Sequence, residues 1–146
     1  MGIKQLAVNA KGLDLRALAL RIFDEGYIKT AIVDLNLDQL DEGQTATLEK
    51  LRPKYRNVSY ALQKQTLNPK PGYGNPDLKV TGDFYEGFKA ELRGHILEIY
   101  STDYKAPKLE QKYANIYGLT PDNFTELIDQ VILPELQKGV LNELLR

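Results

Sequence analysis

The chain has 146 residues, of which 42% are hydrophobic and 27% charged, a balance typical of a folded domain rather than a disordered or membrane-spanning chain. With 19 basic and 20 acidic residues, its net charge of −1 provides no strong field to attract nucleic acid or an anionic membrane. There is no cysteine, which excludes disulfides and thiol chemistry. The first residues, Met1 to Lys4, lead into no apolar stretch, so we expect no secretory signal.

The N-terminal part of the chain has a helical pattern. Apolar residues recur at helical spacing from Leu13 to Leu40 and predict one long helix or two consecutive ones. Asp14 is a candidate cap and Gly26 a candidate break. A shorter helix is predicted from about Pro53 to Lys64, with an inward side formed by Tyr55, Val58, Ala61 and Leu62.

A loop and a β-hairpin are predicted next. The stretch "LNPKPGYGNPDLK" (67–79) contains three prolines and two glycines, which predicts an exposed loop. We expect its residues 68–77 to be mobile in isolation and ordered against a partner. Alternation from Phe84 to Leu92 predicts a strand, Arg93-Gly94-His95 a turn, and Ile96 to Tyr100 the returning strand.

The C-terminal part is predicted to be helical. In "GLTPDNFTEL", Gly118 ends one segment, Thr120 caps the next helix and Pro121 occupies its first position. This helix is predicted to reach about Leu145, with a kink at Pro134. Its predicted inward residues are Phe124, Leu127, Ile128, Val131 and Ile132. The fold class is therefore α+β, with helices packed around a small antiparallel sheet in a single domain spanning residues 1–146.

Two short patterns resemble metal or catalytic sites but have ordinary explanations. Asp34, Asn36 and Asp38 imitate the first ligands of a calcium loop, but the required glycine and glutamate positions hold Gln39 and Thr45. His95, the one histidine, is predicted in the hairpin turn, where a solvated polar residue is expected. No metal or cofactor is predicted, and no nucleophile-elbow context surrounds a serine.

The closest pattern to an enzyme site is the order Asp83, Glu98, Lys105, which is similar to that of some metal-dependent nucleases. In such sites the second acid and the lysine usually lie close together on one strand, whereas seven positions separate them here. We keep a small metal-dependent nuclease, or another domain that processes or binds nucleic acid, as the alternative function. Mg²⁺-dependent DNA cleavage that Asp83→Asn abolishes would favour it.

The order of motifs along the chain resembles a known family. "LKVTGDFYEGF", a short hairpin and "KYANIYGLTPDNFTELI" follow one another as in the tail-completion, or virion morphogenesis, proteins of long-tailed phages, most closely those of phages and prophages of Bacteroides-like bacteria. The likeness extends from about Leu35 to the C-terminus. The residues that match the family's two motifs are Thr81, Gly82 and Phe84 in the first and Gly118, Leu119 and Thr120 in the second.

The resemblance implies a non-catalytic structural protein of the virion, placed in the neck at the head-proximal end of the tail and present in the host cytoplasm during assembly. Its expected partners are other neck and tail proteins and further copies of itself in a ring. We expect no membrane partner and no sequence-specific nucleic acid. Outside the virion, the isolated protein could be a monomer. Free strand edges suit such assembly. The candidate interface residues are Tyr85, Lys89, Glu91, Glu98, Tyr100 and Tyr104.

Overall fold

The structure is a computed structural model that describes residues 2–146. Within that range it contains seven helices and one two-stranded antiparallel sheet, which confirms the α+β prediction. The first helices are α1 (Ile3–Lys11), α2 (Leu15–Phe23), α3 (Gly26–Asp41) and α4 (Val58–Leu67). They are followed by the short helix α5 (Asp83–Glu86), the strands β1 (Phe88–Arg93) and β2 (Ile96–Ser101), helix α6 (Ala106–Lys112) and the C-terminal helix α7, residues 121–144.

Two separate helices form between Leu13 and Leu40, as the pattern allowed. The Asp14 carboxylate accepts a hydrogen bond from the Ala17 amide at 3.1 Å and caps α2, while α3 begins at Gly26. The shorter helix is shifted to Val58–Leu67 because the Asn57 side chain accepts from the Tyr60 amide at 2.9 Å and starts it there. The predicted inward side is wrong for Val58 and Leu62, which are exposed.

The hairpin forms, but its first strand is shorter than predicted. Residues 84–86 belong to α5 instead, since Gly82 adopts φ +93° and redirects the chain into a helical turn. The strands pair from Phe88 opposite Ser101 to Arg93 opposite Ile96, around a two-residue turn in which Gly94 has φ +65°. His95 lies in that turn and is exposed.

Helix α7 is continuous for 24 residues. It comprises an α-helical part Pro121–Leu127, a π-helical turn Ile128–Ile132 and an α-helical part Leu133–Leu144. The π turn ends two residues before Pro134, whose ring and missing N–H disturb the regular bonding pattern. The inward prediction is confirmed for Leu127 and Ile132, which are buried, and is wrong for Phe124, which is 51% exposed.

The core has two clusters of buried side chains that meet along α3 and the hairpin. One lies between α3, α5 and the segment around α6 and includes Leu40, Leu51, Phe84 and Phe88. The other lies between α2, α3 and α7 and includes Ile28, Ile32, Ala90 and Leu127. Val33 and Ile99 pack against both clusters. Within residues 2–146, no helix has the length and apolar character that crossing a membrane requires.

The Pro/Gly-rich loop packs against the rest of the molecule. Its prediction as an exposed segment is wrong for Pro71, Gly74, Pro76 and Asp77, which are all buried. Hydrogen bonds from its polar side chains replace the regular bonding that its prolines prevent. Mobility of residues 68–77 stays a prediction of the sequence, and limited proteolysis that cuts first after Lys70 or Lys79 would support it.

Candidate functional site

A buried carboxylate, that of Asp77, lies a few residues before the first motif. Asp77 is 2% exposed, and its oxygens lie 2.8 Å from the Lys64 ammonium and 3.0 Å from the Asn68 amide nitrogen. The Lys79 amide donates to the same carboxylate at 2.9 Å. The Tyr85 hydroxyl donates to the main-chain oxygen of Asp77, and burial raises the pKa of this phenol. We call this group of contacts the Asp77 centre; it joins the loop, α4 and α5.

Tyr85 is therefore not on the outer side of the hairpin, where the sequence predicted it. It lies on α5, half-buried, because the chain forms a helical turn there instead of an alternating strand. Its hydroxyl already has a partner inside the molecule. We remove Tyr85 from the candidate interface.

The other candidate interface residues do lie toward the outside. Lys89, Glu91 and Glu98 are exposed on one face of the hairpin. Arg93 pairs there with Glu98 at 2.9 Å and with Glu91 at 3.5 Å. The Tyr100 hydroxyl donates to Glu91 at 2.7 Å, a hydrogen bond that raises the pKa of the phenol. Tyr104, just after β2, is 84% exposed.

The second motif is held by two buried amide side chains on α3. Asn36 donates to the Ile116 carbonyl at 2.9 Å and accepts from the Gly118 amide at 2.8 Å. Gln39 donates to the Gly118 carbonyl at 2.9 Å and accepts from the Thr120 amide at 2.8 Å. We call this arrangement the amide clamp, because it bonds every second residue of an irregular segment, at Ile116, Gly118 and Thr120, as a neighbouring strand would.

Each motif glycine lies shortly before a helix. Gly82, with φ +93°, directly precedes α5, and Gly118, with φ +126°, lies two residues before the cap of α7. The Thr120 hydroxyl accepts from the Asn123 amide at 3.3 Å, which confirms it as the N-cap. Leu119 packs against the cluster of α2, α3 and α7.

The calcium-like and nuclease-like patterns do not assemble. Asp34, Asn36 and Asp38 lie within helix α3 rather than in a loop. The Asn36 side chain is hydrogen-bonded in the amide clamp. Lys105 lies 4.0 Å from Asp83, but Glu98 pairs with Arg93 on the outer face of the hairpin. Among residues 2–146, no group of three or more histidine, aspartate and glutamate side chains is placed to hold a metal ion.

Sequence reasoning missed a cleft of about 610 Å³. Its walls come from residues 53–60, from residues 76–84, which include the first motif, and from residues 105–113. Inside it lie aromatic and aliphatic side chains: Tyr55, Tyr60, Leu78, Phe84, Leu109 and Tyr113. Four cations surround them: Lys54, Arg56, Lys105 and Lys112. We call it the basic–aromatic cleft.

The chemistry of the cleft is mainly apolar with a positive rim. The rings of Tyr55 and Tyr60 meet edge to face at 4.9 Å, and burial raises the pKa of the Tyr55 and Tyr113 phenols. No Asp or Glu occurs among the described residues that line the cleft. Only Lys105 of its cations has a carboxylate within ion-pair distance in the described part of the chain, at Asp103 and Asp83.

A signal for this cleft exists in the sequence. Tyr55 stands between Lys54 and Arg56, and Tyr113 follows Lys112, so a tyrosine adjoins a cation at two distant positions. Each pair alone is ordinary, and only the packing of α6 beside residues 53–60 brings them together.

Comparisons of this chain with protein-family profiles, curated proteins and solved structures find no match.

Proposed function

We propose that this protein is a structural subunit of a phage virion, a tail-completion or neck protein that joins head and tail as part of a ring. The observation that carries the proposal is the ordered succession of the Thr-Gly motif, the hairpin and the Gly-Leu-Thr motif. Both motif glycines have positive φ and lie just before a helix, so each occupies a backbone position that favours glycine.

The surface of the hairpin supports a role in assembly. A two-stranded sheet leaves one backbone edge of each strand without a strand partner, and such edges can pair between subunits. Tyr104 is an amphipathic anchor of the kind enriched in protein interfaces. The proposed docking surface consists of Lys89, Glu91, Glu98, Tyr100 and Tyr104.

Complementation of a phage that lacks this gene tests the proposal. Tyr104→Asp should leave the monomer folded by circular dichroism yet block incorporation into the virion, because anchors of this kind carry much of an interface. Tyr27→Asp, at an exposed tyrosine of α3 outside the loop and the hairpin, is the matched control and should complement normally. Phe88→Asp should unfold the chain, because it places an unpaired charge in the core.

Two results would contradict the proposal. One is a gene neighbourhood without portal, capsid and tail-tube genes. The other is normal assembly by Tyr104→Asp together with charge reversals at Lys89, Glu91 and Glu98, which would exclude docking through the hairpin.

A further inference from the structure

The basic–aromatic cleft matches a ligand that has an apolar anchor beside negative charge. Its interior presents aromatic rings and leucines, whereas its rim presents cations. Lys54, Arg56 and Lys112 have no carboxylate within ion-pair distance among residues 2–146, so their charge is uncompensated. The enclosed, largely apolar interior favours a protein side chain over a nucleic-acid backbone, which would need cations along an open groove.

The chain itself carries a surface of that chemistry. From Tyr113 to Gln137 it has four acidic residues and no Lys or Arg. Phe124 lies in this acidic stretch, 51% exposed on α7. Asp122, Glu126 and Asp129 are exposed and have no ion-pair partner in the described part of the chain.

Other exposed aromatic residues have a less suitable setting. Tyr73 is near Lys70, and Tyr104 has the Lys105 ammonium 5.5 Å from its ring centre. The interaction of the Tyr27 phenol with Glu135 raises the pKa of this phenol, so its polar end already faces a carboxylate of its own chain. Phe124 is thus an exposed aromatic side chain whose own stretch of helix carries only negative charge, although Arg16 of α2 lines the groove that it borders.

We propose that the basic–aromatic cleft of one copy receives the Phe124 surface of a second copy, Pro121 to Asp129. This contact joins two different surfaces, so it is head-to-tail, and such contacts close into a ring when the rotation between copies allows it. The inference rests on the proposed ring and names a contact within it. Salt should weaken the contact, since its charges are exposed.

Paired charge reversals test the contact by analytical ultracentrifugation at low salt, at protein concentrations up to about 1 mM. Lys112→Glu and Glu126→Lys should each weaken self-association about threefold to thirtyfold. An equimolar mixture of the two variants should recover self-association. The reversed cleft of the first variant then faces the reversed helix of the second, and the native cleft of the second faces the native helix of the first, so both contacts join opposite charges. The control pair Lys4→Glu and Glu49→Lys, outside both surfaces, should change neither the separate nor the mixed samples.

The anchor is tested in the same assay. Phe124→Ala should weaken association at least about tenfold, as expected for a central aromatic anchor. Tyr27→Ala, at a helical aromatic side chain of similar exposure, is the matched control and should have little effect. Nuclear magnetic resonance shifts on dilution should occur both in the cleft, at Tyr60 and Leu109, and around Phe124.

Three results would overturn this inference. They are the absence of self-association by the wild type, failure of the mixture to recover it, and binding of an oligonucleotide to the cleft with no shifts around Phe124. Failure of the proposed function has a different outcome: the wild-type protein would be absent from the virion while self-association through the cleft persists.

Discussion

The Asp77 centre and the amide clamp both hold an irregular segment in place, but by different chemistry. The Asp77 centre places a carboxylate and an ammonium in the interior, where each charge depends on the other. The amide clamp uses two neutral side chains that satisfy four main-chain groups and leave no net charge. The comparison shows that one chain can order a loop by charge pairing and another segment by imitating a β-ladder.

The largest effect is expected from breaking the ion pair of the Asp77 centre. Lys64→Met should lower the free energy of unfolding by about 3–5 kcal/mol, because it leaves the Asp77 carboxylate buried without its cation. Urea denaturation measures this change. Lys70→Met is the control, since the Lys70 ammonium is 2.7 Å from Asp41 but largely exposed, and it should cost at most about 1 kcal/mol. Equal losses in both variants would contradict the difference between buried and surface pairs.

A smaller effect is expected from opening the amide clamp. Asn36→Leu should cost about 2–4 kcal/mol, because it leaves the Ile116 carbonyl and the Gly118 amide without partners. Thermal and urea denaturation measure the loss, and hydrogen exchange should become faster at the Gly118 amide. Gln65→Leu, on the exposed side of α4, should be nearly neutral. Unchanged exchange at Gly118 would show that the clamp does not hold the segment.

The two motif glycines sharpen the comparison further. Gly82→Val should destabilise the fold by about 1–3 kcal/mol, because its φ of +93° strains a branched side chain. Gly118→Val should cost more, since a Cβ there would also lie 3.2 Å from the Ala46 methyl group, whereas nothing lies within 4 Å at Gly82. Equal thermal melts for the wild type and Gly82→Val would remove the strain argument.

The smallest effect concerns the Tyr85 hydroxyl of the Asp77 centre. Tyr85→Phe should cost about 0.5–1.5 kcal/mol near neutral pH, as for the loss of one hydrogen bond. Burial raises the pKa of this phenol in the folded protein, so its contribution is complete below the unfolded value of about 10 and is lost as the pH rises through the folded value. The alkaline fall in stability should therefore be shallower in Tyr85→Phe than in the wild type. Identical slopes would contradict the burial of this phenol.

Much of the fold follows from local sequence. Helical spacing and caps at Asp14 and Thr120 act within a few residues, so the sequence predicts the starts of α2 and α7. The two-residue turn at Gly94 and His95 is equally local and places the hairpin. Local patterns fail at Phe84, where alternation predicts a strand but the positive φ of Gly82 begins a helical turn.

The tertiary structure alone decides the candidate site. In the sequence, Asn36 belongs to a pattern that resembles a calcium loop. Its hydrogen-bond partners in the structure lie some eighty residues away along the chain. The sequence predicts that Asp77 lies in an exposed loop, but in the structure it is bonded to Lys64 and Tyr85. The basic–aromatic cleft joins residues 53–60 to residues 105–113, and no periodicity or spacing encodes a contact between segments so far apart. The sequence therefore determines the elements whose causes are short-range, and only packing determines which polar and aromatic side chains meet.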